Sequence, residues 1–203
     1  MADLERAERS DALRNRRAIL AAASHLFDTA SDPFLITMDD VAAAANVGKG
    51  TVFRRFGDRS GLLRAVLDDR IAALVDQIEH GPAPLGPSTP PRERIVAALM
   101  ATIDFKVSNR GLFRAIEQDA RPAVGGFLKS ENYRWAHTLL SRTLAEIVAP
   151  GEAGFCAHAL LSLARVDLID HMMAQDGYTL SELKGHVRNY LDRLIQSSGE
   201  AWS

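Results

Sequence analysis

The run GKGTVFRRFGDRSGLLR, Gly48 to Arg64, sets Lys49, Arg54, Arg55, Arg59 and Arg64 against one carboxylate, Asp58. Ammonium and guanidinium groups crowded in this way suit two kinds of acceptor in duplex DNA. They pair with phosphate oxygens, and they reach O6 and N7 of guanine in the major groove. The patch is local, because the whole chain has a formal net charge of -2 and residues 1–70 hold 11 Lys plus Arg against 11 Asp plus Glu. A focused cationic footprint on a slightly acidic protein matches a phosphate backbone better than it matches a general polyanion.

Other chemistries find weaker support. Asp167, Asp170 and His171 have the look of metal ligands, and Asp104 with His137 the look of an acid–base pair. Carboxylates and histidines fall at helical spacing by chance, and no Gly-rich phosphate loop, His-Glu-x-x-His or Gly-x-Ser-x-Gly accompanies them. Neither an enzyme nor a resident metal or cofactor is expected. The single cysteine, Cys156, sits in the apolar run FCAHALLSLA, which excludes a disulfide scaffold and reads as a buried thiol. MADLERAERSDALRNRR has no apolar leader core, and no run reaches the roughly 18 apolar residues of a membrane span, so a cytoplasmic protein without membrane contact is expected.

The elements that position the basic run are helical. At 203 residues and 47% hydrophobic content the chain can bury one or two cores. Apolar residues recur at intervals of three and four with no sustained alternation, so an all-α fold follows. A first helix is predicted from about Leu13 to Ala30, burying Ile19, Ala22, Ala23, Leu26 and Phe27, and Ser31-Asp32-Pro33 breaks it. Thr37-Met38-Asp39-Asp40 reads as a capping box that opens a second helix, and Asn46 as its left-handed cap. A short third helix runs through Thr51, Val52, Phe53 and Phe56. Two short helices across so tight a turn make a helix-turn-helix. Val52 and Phe56, four apart, must turn inward against Val41, Ala45 and Leu26, which leaves Lys49, Thr51, Arg54 and Arg55 facing outward.

NVGKGTVFRRFGDRSGLLRAVL, preceded by RRAILAAASHLFDTA and TMDDVAAAANV, resembles the DNA-binding head of the TetR family of transcriptional regulators over roughly residues 13–67. The resemblance implies a three-helix head, a long fourth helix from near Arg59, and an all-helical C-terminal domain that holds an inducer and a dimer interface. It also implies that Lys49, Gly50, Thr51, Phe53, Arg54 and Arg55 occupy recognition-helix positions, while Thr37 and Arg59 match phosphate-contacting helix starts. Three departures stand out. Phe53 replaces a usual tyrosine and so loses a hydroxyl contact to phosphate, Gly48 replaces a serine cap, and Ser31 to Leu35 lacks the usual glycine. Upstream, Arg6, Arg9, Arg14, Arg16 and Arg17 alternate with Asp3, Glu5, Glu8 and Asp11. They read either as an arm reaching DNA or as a frayed terminus with local ion pairs.

This divides the chain into an arm at 1–12, a head at 13–58 and a helical ligand-binding and dimerisation domain at 59–203. GPAPLGPSTPP, Gly81 to Pro91, reads as a connecting surface loop. Later helices are predicted near 92–108, 110–120, 126–148, 152–175 and 179–197, with breaks at Arg121-Pro122 and Gly125-Gly126, and Thr179 to Glu182 forms a second capping box. Polar residues in apolar helices mark a candidate inducer chamber: Met100, Asp104, Phe113, Trp135, His137, His158 and Arg165. Leu160, Ala164 and Leu168, with Val187, Leu191 and Leu194, are expected at the interface of a homodimer. The partners so implied are a double-stranded, pseudo-palindromic DNA operator, a second copy of the chain and a small-molecule inducer. The competing reading is a helical adaptor that acts through protein contacts without DNA.

Overall fold

A computed structural model describes residues 2–30, 32–119 and 130–200. These residues form ten α-helices and no strand: α1 (Ala2–Thr29), α2 (Met38–Ala44), α3 (Lys49–Phe56), α4 (Arg59–His80), α5 (Pro91–Ser108), α6 (Arg110–Asp119), α7 (Glu131–Leu144), α8 (Ala153–Leu163), α9 (Val166–Ala174) and α10 (Leu180–Glu200). They divide into two compact units. The first takes residues up to Ala72 and the described part of Gly111–Pro122, and the second takes Ala73–Arg110 and the described remainder. The division falls inside α4 rather than at the expected 58/59 boundary. The Arg121-Pro122 and Gly125-Gly126 breaks lie outside the described residues, as do Ser31 and the side chains of Arg6 and Arg9.

In the first unit the segment read as an arm is helical from Ala2 onward. Charges there alternate at helical spacing, and Asp11 pairs with Arg14 one turn away. The Asp32 carboxylate accepts the Phe34 amide at 2.9 Å and caps a short 3₁₀ turn at Pro33–Leu35, so the loop closes without a glycine. At Thr37 the capping box forms in full: the hydroxyl oxygen accepts the Asp40 amide at 3.2 Å and the Asp40 carboxylate accepts the Thr37 amide at 2.8 Å. Asn46, with φ +52°, turns the chain out of α2, and Gly57, with φ +77°, ends α3.

A single apolar cluster holds these short helices. Ile19, Ala23 and Phe27 of α1, Val41 and Ala42 of α2, Val52 and Phe56 of α3, and Leu62, Leu63 and Val66 of α4 are all buried in it. Leu112 and Ala115 of α6 complete it. Gly61 is required by space, since a Cβ there would stand 2.0 Å from the Phe56 carbonyl oxygen.

The second unit has its own core, built on Ile95, Leu99 and Ile103 of α5, Leu140 and Leu144 of α7, Leu160 of α8 and Leu191 of α10. The Pro-rich connector is folded onto it. Arg94 donates to the Leu85 carbonyl at 3.1 Å and to the Ile78 carbonyl at 2.9 Å, and Gly86 and Thr89 are buried. The helix predicted over 152–175 is two helices. Arg165 adopts an extended backbone, φ -70° and ψ 136°, and its guanidinium donates to Asp167 at 2.9 Å across the break. Neither proline nor glycine marks this break. The second capping box also forms, with the Glu182 carboxylate accepting the Thr179 amide at 2.9 Å.

Hydrogen bonds from the Thr37 hydroxyl and amide hold the Asp40 carboxyl below the ordinary aspartate value of 3.8. A folded-state pKa lower than the unfolded one gives stability that is present above the unfolded value and lost as pH falls through the folded value. Head stability should therefore be flat near neutrality and decline below about pH 4, and Asp40→Asn should weaken that decline in urea unfolding followed across pH. Thr37→Ala should cost about 1 kcal/mol at neutral pH, the ordinary value of a helix cap.

Candidate nucleic-acid interface

The candidate surface is built outward from the seat of α3. Val52 is 0% exposed and Phe56 9%. The Arg16 guanidinium of α1 lies over the Phe56 ring, 5.1 Å from its centre, so one of the N-terminal arginines has a structural position that its spacing did not reveal. Seated this way, α3 turns Lys49, Gly50, Phe53, Arg54 and Arg55 to solvent and leaves Thr51 half-buried. Gly48 caps the helix without a side chain, and its carbonyl accepts the Thr51 amide at 2.8 Å.

The cations of the opening run play different parts. Arg54 and Arg55 make no ion pair among the described residues, and their guanidinium groups project from the last turn of α3. Lys49 donates to the Asp39 carboxylate at 2.7 Å and stands over the Phe53 ring, 5.7 Å from its centre. Arg59 is turned back into the protein. It donates to the carbonyl oxygens of Ile36 at 3.0 Å, Phe34 at 3.1 Å and Pro33 at 3.2 Å, tying the loop before α2 to the start of α4. Arg59 Nε and Nη2 are thus engaged within the protein, in place of a side chain directed wholly outward. Arg70 does the same one layer along: it donates to the Ser24 hydroxyl and carbonyl and to Asp28 at 2.8 Å, fastening α4 to α1. Thr37 directs its hydroxyl to Asp40.

In the second unit the expected chamber residues mostly find separate partners. His137 and His158 come together, with ring centres 3.9 Å apart, and Tyr133, which the sequence reading missed, meets the His158 ring nitrogen at 2.6 Å. Tyr133 and His137 lie four apart on α7, so their shared face was legible. Trp135 donates its indole N–H to Glu79 at 2.6 Å and lines a cleft with Glu131, Arg134, Thr138, Leu139 and Arg142. Asp104 is paired with Lys184 at 2.6 Å, Met100 is buried in the core and Arg165 is exposed at the helix break. Phe113 belongs to the first unit.

The expected interface residues differ in their exposure within one chain. Leu160, Ala164 and Leu191 are 0% exposed and Val187 5% within one chain, so they pack its own core. Leu168 and Leu194 are half-buried. On α8 and its C-cap, Leu160 and Ala164 share the inward face with Cys156, Ala157 and Leu161, while Phe155, His158 and Ser162 face outward.

Residues 19–66 match the family model described as bacterial regulatory proteins, tetR family. Over this segment the chain is similar to the tetR family. Over 116 residues the chain is 29% identical to an HTH-type transcriptional regulator of Staphylococcus aureus, covering 57% of this chain and 60% of that protein. It is 28% identical over 105 residues to the HTH-type regulator YhgD of Bacillus subtilis, covering 52% and 53%. The chain thus spans little more than half the length of these curated relatives. A transcriptional regulator from Rhodococcus sp. RHA1 superposes with a TM-score of 0.66 at 18% identity, covering 90% of this chain and 96% of that one. NalD, the secondary repressor of the MexAB-OprM multidrug efflux pump in Pseudomonas aeruginosa, superposes with a TM-score of 0.54 at 18% identity, covering 91% and 97%. These likenesses establish a fold: all-helical, with an N-terminal tetR-family helix-turn-helix. No helix among the described residues is long and apolar enough to cross a membrane.

The split between structural and outward arginines makes a direct comparison possible. Arg59→Lys should destabilise the head by about 1–3 kcal/mol in urea unfolding, because an ammonium cannot serve three carbonyls in the geometry of a guanidinium fork. Arg54→Ala should leave stability within about 0.5 kcal/mol of the parent.

Proposed function

We propose that the protein is a sequence-specific, DNA-binding transcriptional regulator that acts as a homodimer and leaves its operator when a small molecule binds. The observation that carries this reading is the outward face of α3: Arg54 and Arg55, free of ion pairs among the described residues, project from a helix whose opposite face is locked into the tetR-family head. Guanidinium groups so placed meet phosphate or guanine when α3 enters the major groove. Two heads would reach successive grooves about 34–36 Å apart on a pseudo-palindromic site.

For the dimer, support comes from apolar side chains that the chain leaves in water. Phe155 on α8 is 78% exposed and Tyr190 on α10 is 48% exposed. Phe155, His158 and Ser162 share one face of α8, since they lie three and four residues apart and all three are exposed. An isologous contact through these faces would cover them. For the inducer, the cleft beside Trp135, with a volume of about 520 Å³, is the favoured place. Its two glutamates and two arginines around one indole suit a polar ligand with charge of its own. An inducer acts only through its difference in affinity between the DNA-binding conformer and another.

Fluorescence anisotropy on duplexes that the protein enriches from a randomised pool, compared with the unselected pool at several salt concentrations, tests the central claim. Arg54→Ala and Arg55→Ala should each lose about 1–3 kcal/mol of binding to the enriched site if they read bases, and flatten the salt slope by about one if they meet phosphate. No enrichment, with equal and salt-labile binding to all DNA, would return the adaptor reading. Phe155→Asp should move the chain toward monomer in sedimentation equilibrium while leaving the head folded.

A further inference from the structure

The Lys49–Asp39 pair joins the outermost turn of α3 to the first turn of α2 in the middle of the proposed DNA face. Both side chains are solvent-exposed, at 60% and 59%, and the ammonium nitrogen stands 2.7 Å from the carboxylate. Asp40, the neighbouring acid, is consumed by the capping box, which leaves Asp39 as the acid of this turn that turns toward α3. The Phe53 ring flanks the ammonium as well. Resting on the regulator reading above, we propose that Asp39 is a specificity-determining residue that makes Lys49 a reader of bases instead of a binder of phosphate.

The reasoning is electrostatic. A phosphate brought to Lys49 also approaches the Asp39 carboxylate, and two anions competing for one ammonium repel each other. A guanine edge is neutral. An ammonium has three donors, so Lys49 can keep Asp39 and still donate to O6 or N7 of guanine. Arg54 and Arg55, with no such anion beside them among the described residues, supply the attraction to phosphate that random DNA offers equally. Asp39 thus lowers the contribution of Lys49 to non-specific binding while preserving its contribution at a site that presents guanine. The pair is exposed, hence a minor element of stability, and substituting it leaves the head folded.

The test compares the parent, Asp39→Asn, Lys49→Ala and the double variant by anisotropy on two probes: the random duplex pool, and a duplex enriched from that pool by the parent protein. Asp39→Asn should bind the random pool more tightly and with a salt slope steeper by about 0.9, one added phosphate contact. Its preference for the enriched duplex should fall roughly five- to tenfold, the scale of one base contact. In the Lys49→Ala background the Asp39→Asn effect on preference should vanish, which separates an action through Lys49 from simple removal of a negative charge. Equal tightening on both probes, or an effect that survives loss of Lys49, overturns the proposal and leaves the regulator reading intact. Failure of the parent to enrich any duplex overturns both.

Discussion

Everything outward on this head depends on the burial of Val52 and Phe56. An eight-residue helix has too few internal hydrogen bonds to persist alone in water, because nucleating a helix fixes several residues for each bond gained. The α3 helix also starts on a glycine cap that contributes no side-chain bond. Its stability therefore comes from packing, with Val52 against the buried Val41 layer and Phe56 covered by Arg16. Once those two side chains are seated, the positions three and four residues away have no freedom of direction. The basic face is a consequence of the apolar one.

The same constraint explains why the arginines divide as they do. Short helices end often, and every end leaves carbonyls and amides in need of partners. Thr37, Asp32 and Asp58 satisfy amides at helix starts, with Asp58 accepting the Gly61 amide at 2.7 Å. Arg59 satisfies carbonyls of the loop before α2, and Arg70 ties α4 to Ser24 and Asp28 of α1. These two arginines of α4 bind the head together through polar contacts that complement its core. Arg54 and Arg55 lie exposed on the last turn of α3 and make no ion pair among the described residues.

In the second unit, charges that look functional in the sequence are largely neutralised in pairs. Asp104 meets Lys184 from α10, Arg92 meets Asp192, and Arg165 meets Asp167. Charges that close to one another repay part of the cost of partial burial only when matched, and for Asp104 and Arg92 the matching partner comes from α10, far along the chain. Cys156 follows the bland expectation: it is buried among apolar neighbours, and that burial raises its thiol above the ordinary value.

The sequence by itself determined the helical class, the helix-turn-helix, both capping boxes, the left-handed Asn46 and the inward direction of Val52 and Phe56. Each of these rests on contacts within about four residues or on a period of 3.6, which a linear pattern records. Tertiary structure alone decided the rest. Arg59 reaches residues 23 to 26 positions earlier, Lys184 reaches 80 positions back, and Lys49 finds Asp39 ten residues away across a turn. The break at Arg165 likewise falls in a run that periodicity reads as continuous, and only the packing of α8 shows that Leu160 and Ala164 face the core while Phe155 and His158 face outward. Partner choice among charged side chains depends on which helices pack side by side, and periodicity carries no information about that.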